Sequence, residues 1–194
     1  METLHERIKR VTQEEVEIVA YSPDWKVLFQ NEKLNLEKLL PRELLKRIEH
    51  FGSTAIPNMP AKPIIDILIE VTSLAETKEK IVPLMEKRGY EYFWRPSHGD
   101  DVPPFYAWFI KRNSEGKRTH HLHMVEKDFE HWDRLYFRDY LIENDEIALQ
   151  YALLKIKLAA EYKNDRVIYT QLKSDFIKTI TSLAKEYYTG SKQK

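Results

Sequence analysis

The feature that most constrains the fold is a nearly unbroken apolar run from Pro63 to Val71. β-branched residues dominate this run, and only Asp66 and Glu70 interrupt it. Such a run is typical of an internal strand that is covered on both faces. A carboxylate inside it costs free energy unless it is hydrogen-bonded, paired with a cation or bound to a metal. The run therefore predicts a buried strand in which Asp66 has a specific partner.

Helices and further strands surround this strand in the sequence. Capping and periodicity predict helices at 22–40, 73–88, 129–142, 145–162 and 165–188. Further strands are predicted at 48–51, 90–94, 105–111 and 119–126, the last three pairing antiparallel. This order predicts an α+β fold, α/β under a looser naming, in which helices cover one mixed β-sheet. We expect a single domain of residues 1–194 with a core at about 20–185 and a frayed tail at 190–194.

Composition excludes several functional classes. The 194 residues include 31 basic and 31 acidic side chains and no cysteine. Balanced charge creates no overall field that would attract nucleic acid or an anionic membrane, and the lack of cysteine excludes disulfides and thiol chemistry. The charged N-terminus lacks the apolar core of a signal peptide, and no apolar run approaches the roughly 20 residues of a membrane span. We therefore expect a cytoplasmic protein without nucleic-acid or membrane partners, and the sequence leaves its oligomeric state open.

The first candidate site is the turn that contains Gly52, Ser53 and Thr54. Such a turn can direct backbone N–H groups and hydroxyls at a phosphate without adding net charge. The alternative is structural: Gly52 supplies a positive φ, and the two hydroxyls cap backbone groups. The turn thus indicates either a phosphate site or a simple chain reversal.

The second candidate site is Asp66 together with Lys62. Asp66 either binds a metal or accepts hydrogen bonds from the backbone of the turn at Ser53. Lys62 either pairs with Asp66 or contacts a ligand phosphate. In each of these alternatives Asp66 is the residue of the predicted strand that binds a partner.

A third candidate is the pair His121 and His123. Side chains alternate along a strand, so these two imidazoles share one face while Leu122 and Met124 share the other. The pair indicates metal ligands, phosphate-contacting bases or a hydrogen-bonded structural pair.

Two helical pairs in the C-terminal third are also spaced by one turn. Arg134 with Arg138, and Tyr151 with Lys155, could reach over the sheet towards a polyanion, although solvated helix faces look similar. Arg138 and Lys155 are therefore predicted ligand contacts, together with the turn and Lys62.

Several segments together resemble the GrpB family across about residues 20–185. The matching segments are Tyr21–Trp25, His50–Pro57, Ala61–Ile67, His121–His123, Phe137–Leu141, 151–158 and the pattern Tyr169, Lys173, Phe176. The resemblance implies a nucleotidyltransferase-like fold in which a Gly-Ser turn holds phosphate and a strand carboxylate binds a divalent ion. It assigns Gly52 and Ser53 to the first role and Asp66 to the second.

One position departs from the pattern of an active transferase. Two divalent ions usually need a second acid two residues after the first, and that position is Leu68. His121 and His123 could supply nitrogen ligands instead if their strand lies beside Asp66, which would favour zinc, manganese or iron over magnesium.

The resemblance therefore predicts a nucleotidyltransferase or related phosphoryl-handling protein with a phosphate-bearing small-molecule ligand. Its predicted catalytic residues are Ser53, Asp66, His121 and His123, with magnesium, manganese or zinc as a candidate cofactor. The alternative is a non-catalytic nucleotide- or coenzyme-binding or accessory module of the same fold.

Overall fold

The computed structural model describes residues 3–97 and 102–190, which form one five-stranded mixed sheet covered by helices. The strands are β1 (Leu45–Phe51), β2 (Ile65–Val71), β3 (Glu91–Pro96), β4 (Phe105–Arg112) and β5 (Arg118–Val125). The helices are α1 (Leu4–Gln13), α2 (Asp24–Leu39), α3 (Leu74–Glu76), α4 (Val82–Glu86), α5 (Asp133–Glu143), α6 (Asp145–Glu161), α7 (Arg166–Leu172) and α8 (Ser174–Gly190). Short 3₁₀ turns at Ser53–Ala55 and Glu130–Trp132 and a π turn at Thr77–Ile81 complete the described elements. The predicted α+β class is confirmed.

The sheet has the strand order β1-β2-β5-β4-β3. β1 with β2, β3 with β4, and β4 with β5 pair antiparallel, as predicted for the last three strands, whereas β2 and β5 pair parallel. The parallel pair sets Asp66 opposite His121 and Leu68 opposite His123. The predicted apolar strand is therefore internal, and the histidine strand is its direct neighbour.

The two faces of the sheet differ in chemistry. Ile67, Ile69, Leu122 and Met124 face a large apolar core with residues of α2 and α4. Leu68 lies on the other face, where it packs in a smaller cluster with apolar residues of α1 and α5. Because side chains alternate along β2 and β5, Asp66, His121 and His123 also lie on this second face.

Two helical predictions differ from the structure, and the structure contains one further helix. The helix predicted at 73–88 is interrupted by the π turn Thr77–Ile81 before Pro83, which lacks the N–H that a regular helix would need. The helix predicted at 165–188 is two helices, α7 and α8, which meet at Lys173. Helix α1 was not predicted at all.

The chain ends also bear on the predictions. Gly190 closes α8, so it belongs to a helix rather than to a frayed tail, and the remaining tail residues 191–194 lie outside the described residues. None of the helices in the described ranges is both long and apolar enough to cross a membrane.

Candidate functional site

The candidate site is built where the turn after β1 lies against β2. Gly52 has φ +73° and ψ −175°, a conformation that only glycine adopts readily. A Cβ atom at this position would lie 2.4 Å from Oδ2 of Asp66. Two independent features therefore require glycine at position 52: the backbone conformation and the close approach of the turn to the Asp66 carboxylate.

Asp66 lies at this junction, where the turn after β1 contacts β2, and 29% of its side-chain surface is accessible to solvent. Its Oδ1 is 3.1 Å from Nδ1 of His121. Burial alone would raise the pKa of Asp66, but the hydrogen bond from His121 and the charge of Lys62 hold the pKa below its usual value. Asp66 is therefore an accessible carboxylate that is ionised at neutral pH.

Both ring nitrogens of His121 are engaged. Burial lowers the pKa of His121 to about 4, with Asp66 opposing this effect, so the ring is neutral at pH 7. Nδ1–H then donates to Asp66, and Nε2 accepts from Nη1 of Arg118 at 3.4 Å. Arg118 is itself held by an ion pair to Glu14 at 2.5 Å. His121 therefore bridges an arginine to Asp66.

The hydroxyls of the turn support its own structure. The Thr54 hydroxyl donates to the carbonyl of Ile64 at 3.3 Å and lies 3.0 Å from Nε2 of His50. Thr54 is also buried, with 4% of its surface exposed. The Ser53 side chain hydrogen-bonds with Tyr151. The first N–H groups of a 3₁₀ turn have no partner within the turn, so at Ser53–Ala55 they would be the donors open to an anion.

His123 lies one pleat further along β5, among aromatic rings rather than beside Asp66. Its ring stacks on Tyr106 at a centroid distance of 5.4 Å and meets Phe51 edge-on at 5.2 Å. Nδ1 of His123 is buried and has no hydrogen-bond partner within the described part of the chain. Burial lowers the pKa of His123 well below its usual value, and the charge of Arg134 adds to this effect. His123 is therefore neutral at pH 7.

Cationic side chains from three places in the chain surround Tyr169 and face Asp66. Nζ of Lys62 is 5.2 Å and Nζ of Lys173 is 4.6 Å from the centroid of the Tyr169 ring. Arg166 begins α7 one turn before Tyr169, and Asp66 interacts with its charge. The sequence indicated Lys62 as a ligand contact but did not indicate Arg166, and Lys173 stood out only within the family pattern. The spacing of Arg166, Tyr169 and Lys173 at i, i+3 and i+7 is the signal that could have found them.

The other predicted ligand contacts have partners of their own. Arg138 donates to the carbonyl of His50 at 2.7 Å and pairs with Asp139 at 2.6 Å, which ties α5 to the end of β1. Lys155 is 2% exposed, and its ammonium donates to the carbonyl of Pro60. Arg134, in contrast, lies close enough to Asp66 for its charge to lower the pKa of that carboxyl. Direct ligand contact by Arg138 and Lys155 stays a prediction.

Asp66 and His121 are two predicted metal ligands that contact each other, and His123 lies one pleat further along β5. Leu68 is fully buried in an apolar cluster, and both nitrogens of His121 are engaged. Within residues 3–97 and 102–190, no group of three or more His, Cys, Asp or Glu side chains is arranged to hold a metal ion. Metal binding by Asp66, His121 and His123 stays a prediction.

The fold and site together define the class: an α+β protein in which a Gly-Ser turn lies against a carboxylate-bearing strand of a mixed sheet. The family model described as GrpB protein matches residues 15–183. The chain therefore belongs to the GrpB family, and the resemblance found in the sequence is confirmed.

Relatives and a solved structure extend this match. UPF0157 protein YqkA of Bacillus subtilis is 40% identical over 176 residues, which cover 90% of this chain and 49% of that protein. Glutamate-rich protein GrpB of Alkalihalophilus pseudofirmus is 39% identical over 172 residues, covering 88% of this chain and 96% of the relative. The crystal structure of conserved protein GrpB from Enterococcus faecalis superposes with a TM-score of 0.74 at 32% identity, covering 89% of this chain and 99% of that one. The chain thus spans about half the length of the Bacillus protein and nearly all of the other two.

Proposed function

We propose that the protein binds a phosphate-bearing, nucleotide-like small molecule at the Gly52–Ser53 turn, beside Asp66. The observation that carries this proposal is the contact between the turn and the strand, where a Cβ on Gly52 would lie 2.4 Å from the carboxylate. The backbone at Gly52 therefore lies very close to Asp66, and the first N–H groups of the 3₁₀ turn follow Gly52 directly in the chain. The charges of Lys62, Arg166 and Lys173 act on Asp66, so they would offset the repulsion between this carboxylate and an anionic ligand.

Binding without transfer is the form of this function that the geometry supports best. The second acid of a transferase is replaced by Leu68, which has no exposed surface and lies in an apolar cluster. A carboxylate there would be buried in an apolar cluster. The alternative is nucleotidyl transfer or a related phosphoryl transfer, which the accessible, ionised Asp66 favours.

The experiment is thermal unfolding of the purified protein with nucleoside triphosphates, coenzyme A and dephospho-coenzyme A. Each ligand is tested in EDTA and with magnesium, manganese or zinc. A ligand that binds only the folded chain at a hundredfold excess over its Kd adds about 2.7 kcal/mol to the free energy of unfolding, which raises the midpoint. We expect a shift in EDTA with at least one of these compounds.

Asp66→Asn separates binding from transfer, with Asp128→Asn at an exposed position as its matched control. A shift that needs metal, together with pyrophosphate release that Asp66→Asn abolishes, would establish transfer in place of simple binding. No shift with any compound would refute the proposed function.

A further inference from the structure

The cations around Tyr169 are in excess over the anions that they contact. Lys62, Arg166 and Lys173 converge there from the loop before β2, the first turn of α7 and the junction of α7 with α8. Asp66 is the accessible carboxylate that their charges share. Glu14 is mainly engaged with Arg118 and Arg112, at 2.5 and 2.7 Å, and lies 3.9 Å from Arg166. The three cationic side chains thus outnumber the one carboxylate whose charge acts on all of them, although the charged residues of the whole chain balance.

Burial and the neighbouring charges shift the pKa values of the two lysines. Burial lowers the pKa of Lys173 to about 8, and the charge of Arg166 contributes to this shift while Asp66 opposes it. Burial lowers the pKa of Lys62 well below its usual value, with Arg166 as the next cause. The three side chains therefore repel one another in the protein alone, and a bound anion would relieve that repulsion.

An unused hydrogen-bond donor lies in the same place. Arg166 is 9% exposed, and its Nη2 is buried without a hydrogen-bond partner among the residues described. Leaving a buried guanidinium N–H unpaired is costly, and native structures normally satisfy such groups with protein, water or a ligand. Arginine is also the side chain best suited to phosphate oxygens, because its planar donors match their geometry.

We infer that Lys62, Arg166 and Lys173 form a polyphosphate subsite that binds a diphosphate-type anion without a divalent metal. This inference rests on the proposed function and specifies its ligand class. In transferases, metal ions neutralise the charge of the phosphate groups, whereas here the cationic side chains of the protein would do so. A diphosphate group carries more than one negative charge near neutral pH, so it can contact more than one of these cations at once. Lys62 and Lys173 lie beside the Tyr169 ring, and Arg166 lies one turn away on α7.

The test is isothermal titration calorimetry of the full chain with sodium pyrophosphate in EDTA, compared with orthophosphate and sulfate. We expect pyrophosphate to bind more tightly than either monomeric anion. Lys173→Met and Arg166→Met should each weaken pyrophosphate binding tenfold or more, because each removes a charge-assisted hydrogen bond. Lys173→Arg keeps the charge and should stay within threefold of the unmodified protein.

Lys157→Met is the matched control, because Lys157 has 71% side-chain exposure on α6. It should leave the affinity within twofold. Arg166 is buried, so thermal unfolding checks that Arg166→Met is folded, and the partly exposed Lys173 provides an independent variant. Equal affinity in the two methionine variants and the control, or binding that requires magnesium, would overturn the inference.

The outcomes separate this inference from the proposed function. Nucleotide binding that is unchanged in Lys173→Met and Arg166→Met would keep the proposed function and overturn the subsite. Pyrophosphate binding that depends on these cations, combined with no binding of any nucleotide or coenzyme, would support the subsite and refute the nucleotide ligand.

Discussion

Replacing Gly52 by alanine tests the junction on which the site depends. The substitution forces alanine to φ +73° and ψ −175°, which costs roughly 1–3 kcal/mol in backbone strain. The added Cβ also lies 2.4 Å from Oδ2 and 3.0 Å from Cβ of Asp66, and such overpacking costs a further 1–3 kcal/mol or so. We expect Gly52→Ala to lower the free energy of unfolding by roughly 2–6 kcal/mol, measured by urea denaturation.

Gly116→Ala is the matched control. Gly116 also has a positive φ, +78°, but a Cβ there would meet no heavy atom of the described residues within 4 Å. It should therefore show the backbone strain alone, about 1–2 kcal/mol. Repeating Gly52→Ala in an Asp66→Ala background removes Oδ2, so the loss should shrink by at least about 1 kcal/mol. Equal losses at Gly52 and Gly116, or an unchanged loss without the Asp66 carboxylate, would refute the reasoning.

Four further predictions concern the groups around this junction. Burial lowers the pKa of Lys173 to about 8, so the side chain loses its charge as pH rises through that value. Between pH 7 and 9 the pyrophosphate affinity of the unmodified protein should therefore fall relative to that of Lys173→Arg. Parallel pH profiles of affinity for the two proteins would contradict this. Burial also lowers the pKa values of His50 and His121 to about 4. Below about pH 6.5 the unfolded chain therefore binds protons that the folded chain does not. Urea denaturation should show that the free energy of unfolding falls as pH decreases towards 4, by up to about 1.4 kcal/mol per pH unit for each histidine. A constant free energy of unfolding between pH 7 and 5 would show that these rings are not buried as described. Thr54→Val removes the hydrogen bonds of the Thr54 hydroxyl to His50 and Ile64. It should lower the free energy of unfolding in urea by about 1–3 kcal/mol and leave nucleotide affinity within twofold. A selective loss of affinity would instead make the hydroxyl a ligand contact. Leu68→Asp places a carboxylate in an apolar cluster at a fully buried position, so it should destabilise the chain by more than about 3 kcal/mol. Unaltered urea stability would show that the second acid position is hydrated or that the new carboxylate pairs with His123, which lies opposite on β5.

The junction at Lys173 shows where sequence periodicity misled. Ile168, Leu172, Phe176, Ile180 and Leu183 form a stripe at near i,i+4 spacing, which predicted one long helix packed along that face. In the structure the chain breaks at Lys173, and Leu172 and Leu183 are each 47% exposed. Periodicity describes a local pattern, whereas a helix break that directs Lys173 towards Tyr169 depends on contacts between α7, α8 and the rest of the chain.

The sequence by itself determined the elements whose signals are local. The apolar run predicted β2, the alternation at 121–124 predicted the two faces of β5, and the Ser73 and Gly89 signals predicted the ends of the interrupted helical segment. Only the tertiary structure decided which of these elements are neighbours. The parallel pairing of β2 with β5 joins Asp66 to His121 across 55 residues, and the packing of α7 brings Arg166 and Lys173 towards the same carboxylate. Charge clustering of this kind has no local signature, because it arises from contacts between residues far apart in the chain.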